Sequence, residues 1–319
     1  MKVLWRLLAM LSLCCIGSVK ASALPTPDWR PAQLPQSEQT DQVSRFTRRS
    51  YRIFVSVPTA PPPASGYPVV YVLDGNAKFA PLALQARGAE LGMGDGLGQP
   101  VIIVGIGYPI DGLYDFKARA EDYTPVLPDS QTERTAVRQS NAALFLRFIQ
   151  EELKPLIASR FPVDPQQQSL FGHSYGGLFT LYTLFQMPDA FQNYIAASPS
   201  LWWDHPGLLS QLPELKRKLA VLPRSPRLLL TVGSAEEYSG EPVSAREVKL
   251  QGRRMRSNLD ELYQALQPLQ SQGLYSERLI TADADHGTNA SLTSLRVLSF
   301  VSGHRRCSVA GADKCSKYK

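Results

Sequence analysis

The sequence predicts a parallel α/β sheet with helices on both of its faces, and three observations carry that prediction. Continuous apolar runs at 68–73 and 101–106 have the look of strands buried on both sides, because a half-exposed strand would alternate. Segments with apolar residues at helical spacing lie between and after such runs, so strand and helix alternate along the chain. The composition, 44% hydrophobic and 19% charged over 319 residues, is globular and suits one large domain or two small ones.

The first 23 residues stand apart. Lys2 and Arg6 make a basic start, 7–16 is a short apolar core, and Ala21-Ser22-Ala23 is a small-x-small cleavage site. This is the pattern of a secretory signal peptide, too short for a comfortable membrane span. The alternative is a retained N-terminal anchor. Cleavage removes Lys2, Arg6 and Lys20, which takes 34 basic residues to 31 against 28 acidic ones, a net +3. That balance is mildly basic, and no basic run is interleaved with aromatics, so nucleic acid is not an expected partner. Cleavage also removes Cys14 and Cys15. Cys307 and Cys315 remain, and two cysteines eight apart in an exported chain read as a disulfide of the tail. Only His304 is near them, so no metal site is expected.

The elements follow in order. Residues 24–40 are rich in Pro and Gln and read as an extended lead-in to a domain spanning 41–303, with a polar tail at 304–319. Residues 51–57 are β-branched and aromatic, hence a strand. The buried strand at 68–73 ends in Asp74-Gly75-Asn76, and a helix follows over about 79–91. The glycines of 92–98 lack G-x-G-x-x-G spacing and precede a strand, so they form a connection and bind no dinucleotide; no cofactor is expected. After the strand at 101–106, residues 107–135 show no periodicity, and a stretch of that length in a compact domain is usually functional. With 199–215 it is expected to form a small cap over the strand ends. Leu144, Phe145, Phe148, Ile149, Leu153, Leu156 and Ile157 mark a helix within 139–160 that Pro155 should bend. Then come a strand ending near 173, a helix at 177–187, a strand at 194–197, a helix at 208–219 and a strand at 227–232. A long basic helix at 244–269 carries Arg246, Lys249, Arg253, Arg254 and Arg256, and a last strand at 274–280 leads to a closing helix at 291–301.

The chemistry centres on Gly172-His173-Ser174-Tyr175-Gly176, a G-x-S-x-G sequence between a strand and a helix. In that context it is a nucleophile elbow: the turn is so sharp that the positions two before and two after the serine must be small. A serine hydroxyl needs a base. Of four histidines, His286 follows the last strand and precedes the last helix, in the order nucleophile, acid, base. The acid expected to orient it is Glu236, in the loop after the strand ending at 232; Glu237, Asp283 and Asp285 are alternatives. The backbone N–H groups of Tyr175 and Asn76 are the expected oxyanion donors. Arg119 is placed to meet an anionic substrate or to pair with Glu121 or Asp122, and Trp202 and Trp203 to wall the substrate or to pack in the core.

Several of these stretches carry a family resemblance. Tyr71-Val72-Leu73-Asp74-Gly75-Asn76, Asp122-Tyr123-Thr124-Pro125, the elbow with Gly177, Ala197-Ser198-Pro199-Ser200-Leu201-Trp202-Trp203 and Asp285-His286-Gly287 resemble, as an ordered set, the esterase D group of α/β-hydrolases. They are most similar to its siderophore-esterase branch, the enterobactin and salmochelin trilactone hydrolases. The resemblance covers about 40–302. It implies an α/β-hydrolase fold and ester hydrolysis by Ser174 and His286, with a small-molecule ester, a ferric siderophore among the candidates, as partner. Some exported members of that branch are described as using a Ser–His dyad, and the group also holds thioester and feruloyl ester hydrolases. Three readings follow: a periplasmic siderophore esterase, a general carboxylesterase on aryl or short acyl esters, and a non-catalytic binding protein on a hydrolase scaffold.

Overall fold

The computed structural model describes residues 28–92, 99–125 and 140–303. Residues 1–27, on which the expected signal segment falls, residues 93–98 of the glycine-rich connection, residues 126–135 of the aperiodic stretch, and the tail with His304, Cys307 and Cys315 lie outside the described residues. Residues 1–33 and 34–319 cluster as separate units, and the second holds every element below.

Eight strands form one sheet: β1 (Ser37–Val43), β2 (Ser50–Ser56), β3 (Tyr67–Leu73), β4 (Ile102–Gly107), β5 (Val163–His173), β6 (Asn193–Ala197), β7 (Arg227–Gly233) and β8 (Tyr275–Thr281). Their spatial order is β1-β2-β4-β3-β5-β6-β7-β8. The six strands from β4 to β8 run parallel, and β1 and β2 join antiparallel at one edge. The fold is therefore α/β-hydrolase, with a mostly parallel sheet. β1 was expected as extended lead-in up to residue 40; pairing with β2 turns its polar sequence into an edge strand, with Arg52 holding Asp41 across the ladder at 2.8 Å.

The described residues form ten α-helices: α1 (Gly75–Glu90), α2 (Phe116–Tyr123), α3 (Ala142–Phe148), α4 (Lys154–Arg160), α5 (Tyr175–Gln186), α6 (His205–Leu209), α7 (Leu212–Leu219), α8 (Ala245–Arg253), α9 (Met255–Leu266) and α10 (His286–Val301). Every residue of β3 is buried, and alternate residues enter different cores. Val70 and Val72 join Phe79, Leu82, Val297 and Phe300 from α1 and α10. Val69, Tyr71 and Leu73 face the larger core, with Phe145, Phe148, Phe179, Leu184, Leu259 and Leu262. This is the two-sided burial that the unbroken apolar runs foretold. Each such side chain contributes roughly 1.5–3 kcal/mol by leaving water.

Local chemistry moves several boundaries. The stretch after β4 holds α2, whose N-cap Asp115 accepts from Ala118 N–H; at eight residues it is too short to show a period. The helix expected over 139–160 is α3 and α4 joined by a π-turn over Ile149–Leu153, where Lys154 N–H reaches back to Ile149 O. The wider turn accommodates Pro155, whose ring would collide with a regular α-helical carbonyl. The basic helix is broken at Arg254, which stands left-handed at φ 46°. α8 buries none of its residues, whereas α9 buries Leu259, Leu262 and Leu266.

Candidate active site

The elbow sits where β5 meets α5. Ser174 has φ 61° and ψ −118°, a strained conformation that lifts the hydroxyl off the sheet. Its N–H donates to Ala197 O at 3.0 Å, and its carbonyl accepts from Ser200 N–H at 3.1 Å, so the turn is pinned to the end of β6. A Cβ on Gly172 would come within 2.1 Å of Gly176 O, which accounts for the small residue two before the serine; at Gly176 the nearest atom to a Cβ is Leu73 Cβ at 3.4 Å, an ordinary contact. Ser174 Oγ lies 3.3 Å from Ser200 Oγ.

Helix α10 begins at His286, five residues earlier than expected, because Asp285 caps it by accepting from Thr288 N–H at 2.8 Å. Glu236 leaves the end of β7 in a single 3₁₀ turn and is 1% exposed. Its Oε2 lies 2.6 Å from His286 Nδ1. Its Oε1 accepts from Gly233 N–H at 2.7 Å and from the Ser198 hydroxyl at 2.6 Å. A side chain on Gly233 would strike Ala284 O at 2.0 Å and Glu236 Oε1 at 3.1 Å, so only glycine lets the acid tuck under the strand end. The other acids are engaged elsewhere: Glu237 accepts from Ser257 N–H at the start of α9, and Asp285 is the α10 cap. The Asp283 N–H is held by Ser234 Oγ, which turns that residue into the β8–α10 bend.

With Nδ1 engaged by Glu236, the ring nitrogen of His286 left open is Nε2. Among the described residues no hydrogen bond joins it to Ser174 Oγ, which instead meets Ser200. Such contacts often tighten only once substrate is bound. His173 backs His286: its Nε2–H donates to His286 O at 2.9 Å and the two rings stand 4.5 Å apart. Burial, with the neighbouring His286, holds the His173 imidazole well below its ordinary pKa, so it remains a neutral prop.

Two helix N-termini converge at the elbow. Tyr175 opens α5, and Asn76 lies in the first turn of α1. Neither backbone N–H has an acceptor among the described residues. The Asn76 side chain is locked, donating to Tyr108 O at 3.0 Å and accepting from Tyr108 N–H at 2.8 Å. Free amides at helix N-termini suit a developing oxyanion.

Arg119 is not a free substrate cation, contrary to expectation. It is 7% exposed, and its fork is occupied by Asp74, Nε to Oδ1 at 2.8 Å and Nη2 to Oδ2 at 2.9 Å. Burial opposes its charge, but Asp74 outweighs that and raises its pKa. Nor does it pair with Glu121 or Asp122, which belong to Arg49. Trp203 is also corrected: it is buried, with its indole N–H on Pro125 O at 3.3 Å. Trp202 is half-buried, its ring 5.9 Å from that of Tyr175. Over its other face stands the Arg253 guanidinium at 4.6 Å. Sequence reasoning had placed Arg253 only among the charges of a basic helix; no local signal marks one arginine of that helix as the one that reaches the elbow.

The Esterase family model matches residues 44–268. The chain is 36% identical over 253 residues to the ferri-bacillibactin esterase of Bacillus subtilis, covering 76% of this chain and 82% of that one. It is 34% identical over 243 residues to the siderophore enterobactin esterase of Emericella nidulans, covering 69% and 77%. A crystal structure of the BES protein from Bacillus cereus superposes with a TM-score of 0.76 at 32% identity, over 86% of this chain and 98% of that one. The chain thus belongs to the Esterase family of α/β-hydrolases, in its siderophore-esterase branch, and is an enzyme that hydrolyses esters.

Proposed function

We propose that this esterase opens the lactone bonds of a catecholate siderophore trilactone after export to the periplasm, with Ser174 as nucleophile, His286 as base and Glu236 as the acid that orients it. The observation carrying the mechanism is the 2.6 Å bond between Glu236 Oε2 and His286 Nδ1, set beside a serine in elbow conformation. Ser174 Oγ attacks the ester carbonyl as its proton passes to His286 Nε2. The tetrahedral oxyanion is met by the Tyr175 and Asn76 N–H groups. Collapse expels the alcohol, which takes the proton from His286, and water then releases the acyl group by the same steps in reverse. Export rests on the N-terminal apolar core and the Ala21-Ser22-Ala23 site.

The substrate reading is supported by the relatives' siderophore esters and by a band of rings beside the nucleophile. Phe116 and Tyr114 stand 5.8 Å apart, Arg119 lies over Tyr114 and Tyr175, and Tyr175 leads to Trp202 and Arg253. Flat apolar rings receive catechols, and Arg253, with no carboxylate partner among the described residues, supplies a cation for an anionic complex. The test compares kcat/KM for a ferric catecholate trilactone and a neutral short-chain aryl ester in wild type and Arg253→Ala, at two ionic strengths. The trilactone reaction is expected to fall about tenfold, the loss of one partly desolvated cation, while the aryl ester changes little. Salt should weaken the first reaction more. The capture of Arg119 by Asp74 favours a second reading, a general carboxylesterase; equal losses on both substrates would select it.

A further inference from the structure

Behind Glu236 lies a chain of buried polar side chains that the reaction steps above leave unused. Ser198 and Thr231, each 0% exposed, and Asn289, also 0% exposed, fill the space between β6, β7 and α10. Asn289 Nδ2 donates to Ser198 Oγ at 2.8 Å and to Thr231 Oγ1 at 3.1 Å. Its Oδ1 accepts from the Thr281 hydroxyl at 2.7 Å. Thr231 Oγ1 in turn lies 2.6 Å from Thr293 Oγ1 on the next turn of α10.

The direction of these bonds is the point. A carboxamide nitrogen only donates, and a hydroxyl has one hydrogen to give. With Asn289 donating into Ser198 Oγ, the Ser198 hydrogen is left to Glu236 Oε1, the 2.6 Å contact. A carboxylate out of water needs such donors, and charge-assisted bonds of this kind are the strong ones. Ser198 is itself held at φ 42°, with its N–H on Thr231 O at 2.7 Å, so its side chain has little freedom to turn elsewhere. Asn289 lies three residues after His286, one turn along the same helix. One short helix start therefore carries both the base and the amide that polarises the serine behind its acid.

We propose that Asn289 is a positioning residue for the ester hydrolysis, acting through Ser198: it sets the hydroxyl so that Glu236 presents its other oxygen to His286 Nδ1. The inference rests on Glu236 and His286 being the acid and base of this enzyme. Asn289→Asp keeps shape and volume but removes both donated hydrogens and sets an acceptor against Ser198 Oγ in their place, which competes with Glu236 for the Ser198 hydrogen. Loss of one bond aimed at a charged group corresponds to a fall in kcat of about tenfold to a hundredfold. KM should not change, because neither residue is placed against substrate.

The experiment measures kcat and KM on a neutral aryl ester for Asn289→Asp, Ser198→Ala and their double variant, with Ser174→Ala and Glu236→Gln alongside. The His286 Nδ1 proton is followed by NMR, where a proton bound to a carboxylate resonates far downfield. Thermal melting confirms that each variant is folded; if Asn289→Asp is not, Ser198→Ala and Thr231→Val carry the same test. The expected result is a fall in kcat at constant KM, an upfield shift of the proton, and a double variant no slower than Ser198→Ala. Unchanged kcat with an unmoved proton, or losses that multiply, would overturn the role of Asn289 while Glu236→Gln still impairs the enzyme. If Ser174→Ala and Glu236→Gln are themselves fully active, the catalytic assignment beneath it fails instead.

Discussion

Two buried carboxylates close two strand ends of this sheet, and they do different work. Asp74 follows β3 and Glu236 follows β7, and both side chains are 1% exposed. Asp74 meets Arg119 with both oxygens, and the arginine lies 9% exposed under a ring of tyrosines. Such a pair is closed: the guanidinium keeps its proton at any ordinary pH and has no atom that accepts one. Glu236 meets a histidine whose other nitrogen is open and whose side chain is 39% exposed. An imidazole nitrogen can accept a proton and give it back on the side away from its acid. On the proposed mechanism, the buried acid paired with arginine is scaffold and the one paired with half-exposed histidine is machinery.

That contrast can be broken at several strengths. The largest effect is expected at the nucleophile. Ser174→Ala should lower kcat by about 10⁴–10⁶ with the fold intact, and His286→Ala nearly as much. The double variant should be little worse than either, since the two act as a unit; multiplicative losses in single-turnover rates would separate them. Glu236→Gln should cost less, on the order of tenfold to a thousandfold in kcat, because it orients the base without exchanging the proton. Asp285→Asn should cost less again, a cap's worth of stability and little rate. If steady-state assays rank Asp285→Asn as the more damaging, the acid is misassigned.

Arg119→Ala should instead appear in stability. It strands Asp74 without its partner, a loss on the order of 3–5 kcal/mol for a buried pair. Chemical denaturation reads it directly. The residual activity of folded molecules should drop by the same factor on anionic and neutral esters. A loss confined to the anionic ester would return Arg119 to the substrate site.

The arrangement around Asn76 ties the two halves together. Asp74 caps the start of α1 from a left-handed conformation at φ 55°, and its N–H donates to Tyr123 Oη at 3.2 Å. The Arg119 clamp on Asp74 thus holds the turn from which the Asn76 N–H projects. In the proposed reaction the closed pair keeps an amide still, while the open pair moves the proton.

Much of this was readable in the chain alone. The alternation of buried runs and helical periods requires a two-sided parallel sheet, because only that arrangement hides a strand on both faces. The G-x-S-x-G spacing between a strand and a helix foretells an elbow, and at Gly172 the reason is steric, because any larger side chain there meets backbone. The order of Ser174, Glu236 and His286 follows from where loops leave a parallel sheet, all at the same end. What the tertiary structure alone decided is which side chain meets which across that end. Arg119 had Glu121 and Asp122 within reach in sequence, yet pairs with Asp74, 45 residues away. Trp202 and Trp203 are neighbours in the chain, yet one stays half-buried between Tyr175 and Arg253 and the other is buried with its indole N–H on Pro125 O. Asn289 carries no motif at all; it matters because α10 sets it one turn from His286 and against β6 and β7. Periodicity and steric limits are local and leave their mark on sequence. Pairing among polar groups is settled by three-dimensional proximity and by which partner can be desolvated at least cost, and neither is written in the order of residues.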